Sequence, residues 1–193
     1  MNTRVIKRQQ REEAILLSLK KLNYLSRSQI QRLHRLGSDR NARIVLKSMT
    51  EYLSYTREGE KVYYLNKEGR DRVQAQKVCK KTIQIHHYLM RNEAFIALGQ
   101  PATWKNEVKF GMKGVGSIVA DAVFQRGDLY TAIEIDYSQK MTINKSKVET
   151  YRALMRKNRF NLIWVTTTEY RRKQLAKLCE GMSVKIYTIN DFK

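Results

Sequence analysis

The strongest constraint on this chain is a change of hydrophobic period within its first 65 residues. Residues 9 to 22 set Ile15, Leu16, Leu19 and Leu22 on one side of a helix, with Glu12 and Glu13 in its first turn. Asn23 ends that run. Ser26 or Ser28 is placed to N-cap a short second helix that turns Ile30 and Leu33 inward. Gly37 breaks the second helix, and Ser38 caps a third reaching about Glu51. The period then drops to that of strands. Leu53 to Thr56 and Lys61 to Leu65 are β-like runs, joined by the glycine-containing turn Arg57-Glu58-Gly59-Glu60.

Three helices and then a hairpin in under 70 residues is the order of a winged helix-turn-helix. On the third helix Ala42, Val45, Leu46 and Met49 form one arc, and Arg40, Arg43 and Lys47 form the opposite arc. A helix of this kind suits the DNA major groove, where Arg40 and Arg43 would bond guanine edges and Lys47 a phosphate. Arg27, Gln29 and Arg32 on the second helix, with Arg57 and Lys61 at the hairpin, are candidate backbone contacts. The plainer alternative is the solvated face of an amphipathic helix.

Charge bears on that choice. The 38 Lys and Arg outnumber the 18 Asp and Glu, leaving +20 over 193 residues. The excess is not a tail, because residues 1–78 carry 18 basic and 8 acidic side chains and residues 79–193 carry 20 and 10. Two folded halves of +10 each point to a polyanion, with double-stranded DNA first among candidates. Membranes are a poorer fit, because no stretch approaches the ~20 apolar residues of a span. The N-terminal run into charge predicts no secretory signal, and Cys79 and Cys179 read as reduced thiols of a cytoplasmic protein.

Residues 69–81 turn highly polar and contain no breaker, so a connecting helix is expected there. The division falls at 76/77, giving a winged helix-turn-helix domain over 1–76 and an α/β domain over 77–193. In the second domain a helix from about Lys81 to Leu98 carries Ile85, Tyr88, Leu89, Phe95 and Ile96 on one side, with Asn92 inside the apolar arc. Strands follow at 104–110, 117–125 and 129–137, then a basic helix over 142–157, a strand at 160–166, a helix at 169–179 and a last strand at 184–189. Glycines 111, 114 and 116 read as a hairpin loop, since no strand–loop–helix with a following Lys-Ser/Thr surrounds them.

The middle strands hold the only concentrated acidity in a basic chain. Alternation puts Glu134 and Asp136 on one face of their strand, and antiparallel pairing would bring Asp121 beside them. Carboxylates inside strands are costly unless paired or metal-bound. Three hard oxygen ligands suit Mg²⁺ or Mn²⁺; salt bridges to neighbouring lysines are the alternative.

These residues carry a resemblance. The strand Ala120-Asp121-Ala122-Val123-Phe124, the strand Glu134-Ile135-Asp136 and the basic helix after it resemble the PD-(D/E)XK nuclease core. With the winged helix in front, the chain resembles the replication-relaxation family of bacterial plasmids and mobile elements. The resemblance implies an α+β protein with a restriction-endonuclease-like second domain. It implies DNA handling in replication, mobilisation or transcriptional control, with other replication or mobilisation proteins as partners and a homodimer as one arrangement. It also carries a catalytic set of Asp121, Glu134, Asp136 and Lys147, with Asp121, Glu134 and Asp136 as metal ligands. Two departures weigh against cleavage: Ala120 stands where the pattern has Pro, and Asp136 where it has the lysine that activates water. Either Lys145 or Lys147 replaces that lysine, or Lys147 is one of several helix lysines offered to phosphates. The expectation is therefore DNA binding without catalysis or cofactor, with a metal-dependent endonuclease or nickase as the alternative.

Overall fold

The computed structural model describes residues 3–192. Its first helix, α1 (Thr3–Leu22), buries Ile15, Leu16, Leu19 and Leu22, the four residues whose spacing announced it. Asn23 takes a left-handed backbone (φ 71°) and its N–H still reaches Leu19 O at 2.8 Å, which closes the helix. Strand β1 (Leu25–Ser26) is only two residues long and escapes any periodicity argument. Ser26 then caps α2 (Arg27–Leu33) in a reciprocal capping box with Gln29, and Ser38 caps α3 (Asp39–Ser48) by accepting from Asn41 N at 3.2 Å. Strands β2 (Leu53–Glu58) and β3 (Glu60–Leu65) pair antiparallel around Gly59, whose φ of 73° suits a residue without a side chain. The sheet order is β1-β3-β2.

The connecting helix expected over 69–81 is shorter and earlier. Helix α4 spans Lys67–Val73 and stops at Gln74, which is left-handed (φ 53°, ψ 47°) with its N–H on the last turn's carbonyls. Between Gln74 and Ile85 the chain runs without a helix, and Cys79 packs against the cluster of Tyr24, Val62 and Ile85. Its backbone is satisfied otherwise: the Tyr24 hydroxyl donates to Lys80 O at 2.7 Å and accepts from Lys80 N at 3.1 Å.

Helix α5 (Ile85–Ala97) contains the division between two compact units, one ending at Asn92 and the other starting at Glu93. The expected boundary of 76/77 lies earlier. Side chains explain the shift, because Arg91 and Asn92 both donate to Leu22 O, Asn92 also donates to Tyr24 O, and Gln29 donates to Leu89 O at 2.9 Å. The middle of α5 thus satisfies the carbonyls of Leu22 and Tyr24 at the end of α1, and Ile85 joins Tyr24 and Val62 in the core of the first unit.

The second unit is a five-stranded sheet in sequence order. Strands β4 (Lys105–Met112), β5 (Gly116–Arg126) and β6 (Leu129–Asp136) are antiparallel, while β6, β7 (Asn161–Thr166) and β8 (Val184–Thr188) are parallel. The parallel pairs are crossed by α6 (Met141–Met155) and α7 (Glu169–Leu178), and a 3₁₀ turn (Ile189–Phe192) follows. One core joins Val123, Ala132, Val148, Tyr151, Leu154, Leu162, Trp164 and Leu175. All residues of β6 from Thr131 onward are buried, which fits its central place. No helix among the described residues is long and apolar enough to cross a membrane.

Gly69 gives a direct test of the first unit's packing. A Cβ there would stand 2.2 Å from Tyr52 O, a backbone atom with no room to yield. Gly69→Ala should cost about 1–3 kcal/mol, read as a lower urea midpoint at unchanged slope.

Candidate functional site

In the second unit, pairing of β5 with β6 runs from Arg126↔Leu129 to Ala122↔Ile133 and stops there. Just beyond, the Ile135 N–H donates to the Asp121 carboxylate at 2.7 Å instead of to a strand carbonyl. The same distortion touches β4, where Glu107 has a φ of 54° between the paired residues Asn106 and Val108. This break sets the Asp121 charge beside Glu134. Glu134 is fully buried and both its oxygens are held: Lys147 donates to Oε2 and Tyr151 to Oε1, each at 2.6 Å.

The electrostatics follow from that enclosure. Burial, then the charge of Asp121, pushes the Glu134 carboxyl up to about 7, against the opposing pull of Lys147 and Tyr151. Burial works against the Lys147 ammonium, but Glu134, Asp121 and Asp136 together hold its pKa above the ordinary lysine value. Burial, then the Glu134 charge, raises the Tyr151 phenol, so it stays a donor at any ordinary pH.

Asp136 belongs to another set of partners. Arg171 grips it with two bonds, Nε to Oδ2 at 2.7 Å and Nη2 to Oδ1 at 2.6 Å, and Asn144 and Thr166 donate at 2.9 Å each. Arg171 also donates to Gln139 O at 2.6 Å, tying down the turn before α6. The expectation that all three acids ligate one metal therefore needs correction, because Asp136 is consumed by an arginine and two neutral donors. Asp121 and Glu134 stay side by side, but Lys147 and Tyr151 hold both Glu134 oxygens and the group has no exposure, so a divalent cation there would have to displace those donors. Among the described residues no group of three or more His, Cys, Asp and Glu side chains is placed to hold a metal. Lys145 is exposed, and Lys147 turns inward to Glu134 with its side chain 20% exposed rather than outward.

The first unit holds a different kind of site. A cleft of about 630 Å³ lies between α3 and the β2–β3 hairpin, lined by Arg27, Arg43, Lys47, Arg57 and Lys61 among others. Arg43, Lys47 and Arg57 are exposed there, and Arg32 and Arg40 are exposed on α2 and α3. Lys61 stands 3.8 Å from the centre of the Tyr55 ring. Arg27 is half-buried and ion-paired to Asp39 at 2.7 Å, and Arg43 reaches the same carboxylate at 2.8 Å. Gln29 is a correction. It is 1% exposed, and its amide serves the capping box and Leu89 O, so it has no surface to offer.

Several residues of these sites escaped the sequence reading: Tyr151, Asn144, Thr166, Arg171 and Asp39. A signal existed for two of them. Asn144, Lys147 and Tyr151 recur at i, i+3 and i+7, a polar seam on a helix whose other inward positions are apolar. Asn92, by contrast, is a structural hydrogen-bond donor.

The raised Glu134 gives a signed prediction. Its folded value of about 7 exceeds the ordinary carboxylate value of 4.5, so the folded chain binds more protons between those limits. The stability this contributes is present in full below 4.5 and is lost as the pH rises through 7. Glu134→Gln does not titrate, so its urea midpoint should gain on that of the native chain across this window and run parallel above it. A constant difference would mean that Lys147 neutralises Glu134 throughout.

Comparison with known proteins adds the lineage. No curated protein and no solved structure matches the chain. A family model does, over residues 16–163, which includes α2, α3, the hairpin, Asp121, Glu134 and Lys147. That span is well over half of the sequence, and the chain belongs to the replication-relaxation family.

Proposed function

We propose that this protein binds double-stranded DNA through its first unit, in the service of plasmid or mobile-element replication, mobilisation or transcriptional control. The observation that carries the reading is the cationic cleft between α3 and the hairpin. Read as a winged helix, α3 enters the major groove and the hairpin follows the backbone beside it. Arg40 and Arg43 have the forked donors that match guanine O6 and N7, and Lys47, Arg57 and Lys61 meet phosphates. Family membership supports the process, since it suggests a part in plasmid replication or mobilisation.

Anisotropy of the full chain on a labelled duplex, enriched from a random-sequence pool, tests this. Arg43→Ala should weaken the enriched duplex by about 1–3 kcal/mol and flatten its preference over unrelated DNA. An unchanged affinity and footprint would remove α3 as the reader.

A second reading is favoured by one contact. The Lys147 ammonium sits 2.6 Å from Glu134 with Asp121 adjacent, the residue types of a PD-(D/E)XK nuclease with its lysine moved onto the helix. In that reading Asp121 and Glu134 would hold Mg²⁺ or Mn²⁺, which supplies Lewis acidity at a phosphoryl oxygen. Lys147 orients Glu134 and offers a proton-bearing cation at the reacting end. Asp136, paired with Arg171 and Asn144, would not be among the ligands. Supercoiled plasmid incubated with either metal decides: nicking that disappears in both Glu134→Ala and Lys147→Met supports the enzyme. Intact supercoils with the native chain on DNA it binds would assign the second unit to binding alone.

A further inference from the structure

The second unit carries another cationic cleft, about 740 Å³ in volume, where the C-terminal end of α6 meets the starts of β6 and β7. Arg152, Arg156, Lys157 and Arg159 line it with Asn158 and Asn161, and no Asp or Glu is among the lining residues. Arg156, Lys157 and Arg159 are exposed, and none has an ion pair or side-chain hydrogen bond among the described residues. Arg152 forms the built part. Its guanidinium donates to Leu178 O at 2.9 Å and Glu180 O at 2.8 Å, which fixes the turn after α7 as the opposite wall.

This cleft is remote from the carboxylates. Leu129, the first residue of β6, lines it, whereas Glu134 and Asp136 lie at the other end of that eight-residue strand, roughly 20 Å away at strand rise. Four cations without a counter-charge repel one another, and the C-terminal carbonyls of α6 relieve only part of that. An anion relieves the rest.

We infer that this cleft is a second binding surface for the sugar-phosphate backbone of a nucleic-acid duplex. The chemistry favours phosphate over an acidic protein. Guanidinium forks and carboxamides are the side chains that phosphate oxygens accept from; the apolar lining residues Leu129, Met155, Phe160 and Met182 are half-buried or buried, whereas every exposed side chain of the lining is polar or cationic. Its role is non-specific: it adds affinity and fixes the second unit on the duplex, and it reads no bases.

The test uses the full chain and the triple variant R156Q/K157Q/R159Q on a labelled random-sequence duplex of about 30 base pairs, titrated between about 50 and 200 mM salt. The plot of log Kd against log salt should become shallower by roughly 2–3, with affinity about a hundredfold or more weaker near 0.1 M, because three phosphates lose their partners. Preference for an enriched sequence should be unchanged. The substituted side chains are exposed, so an unchanged thermal midpoint checks the fold, and R159E alone gives a second variant with the same direction of effect. An unchanged slope and affinity in both variants overturns the inference. So does unchanged DNA binding with lost retention on polyglutamate, which reassigns the cleft to an acidic protein. The variant R40A/R43A/K47A separates the two surfaces. Loss there alone leaves the first unit as the DNA binder and removes this cleft. Loss in the cleft variant alone upholds the cleft and removes the first unit's groove.

Discussion

The second unit is built around two carboxylates that water cannot reach. Glu134 and Asp136 both lie on β6, the strand where the antiparallel and parallel halves of the sheet meet, and each has no exposure. A buried carboxylate without compensation is far costlier than any single packing contact. Much of the surrounding structure supplies that compensation. Lys147 and Tyr151 come from α6, Asn144 from the start of the same helix, Thr166 from β7 and Arg171 from α7. Both crossover helices are thus fixed to the sheet by charge and hydrogen bonds as well as by the apolar core. The two acids are compensated differently. Asp136 receives a full guanidinium and two neutral donors, a closed arrangement suited to holding structure. Glu134 shares its lysine with Asp121, and burial together with that neighbouring charge pushes its carboxyl up to about 7.

The first unit solves a different problem, the ends of short helices. Helix α2 has seven residues and could not persist alone. Its capping box satisfies the leading N–H groups, and the same Gln29 side chain extends to Leu89 O. Arg91 and Asn92 then take carbonyls at the end of α1. With those groups settled internally, α3 and the hairpin are left to present charge.

Much of this was legible in the residues themselves. The helices of the first unit follow from Ile15 to Leu22 at helical spacing and from serines at the caps, and the order of strands and helices in the second half follows from alternation and glycine turns. Three things were not legible, each for a physical reason. Strand β1 is too short to have a period. The stretch after Val73 has helix-compatible composition, but Gln74 turns left-handed and ends the helix before it. The partners of Asp136 come from Asn144, Thr166 and Arg171, residues that only the return of β7 and α7 to β6 brings together. Lys147 lay between the two cases. Its place on the helix could be read, while its inward turn depended on the buried Glu134 carboxylate facing α6.

Asp39 gives the charged face of α3 a property that net charge conceals. One carboxylate takes both Arg27 and Arg43 at the start of the helix. A featureless polyanion that approaches this face meets an internal rival for its arginines and a like charge to repel it. It has no donor with which to satisfy the displaced acid. An acid paired with two arginines at the start of α3 therefore leaves that face less positive than a count of its cations suggests.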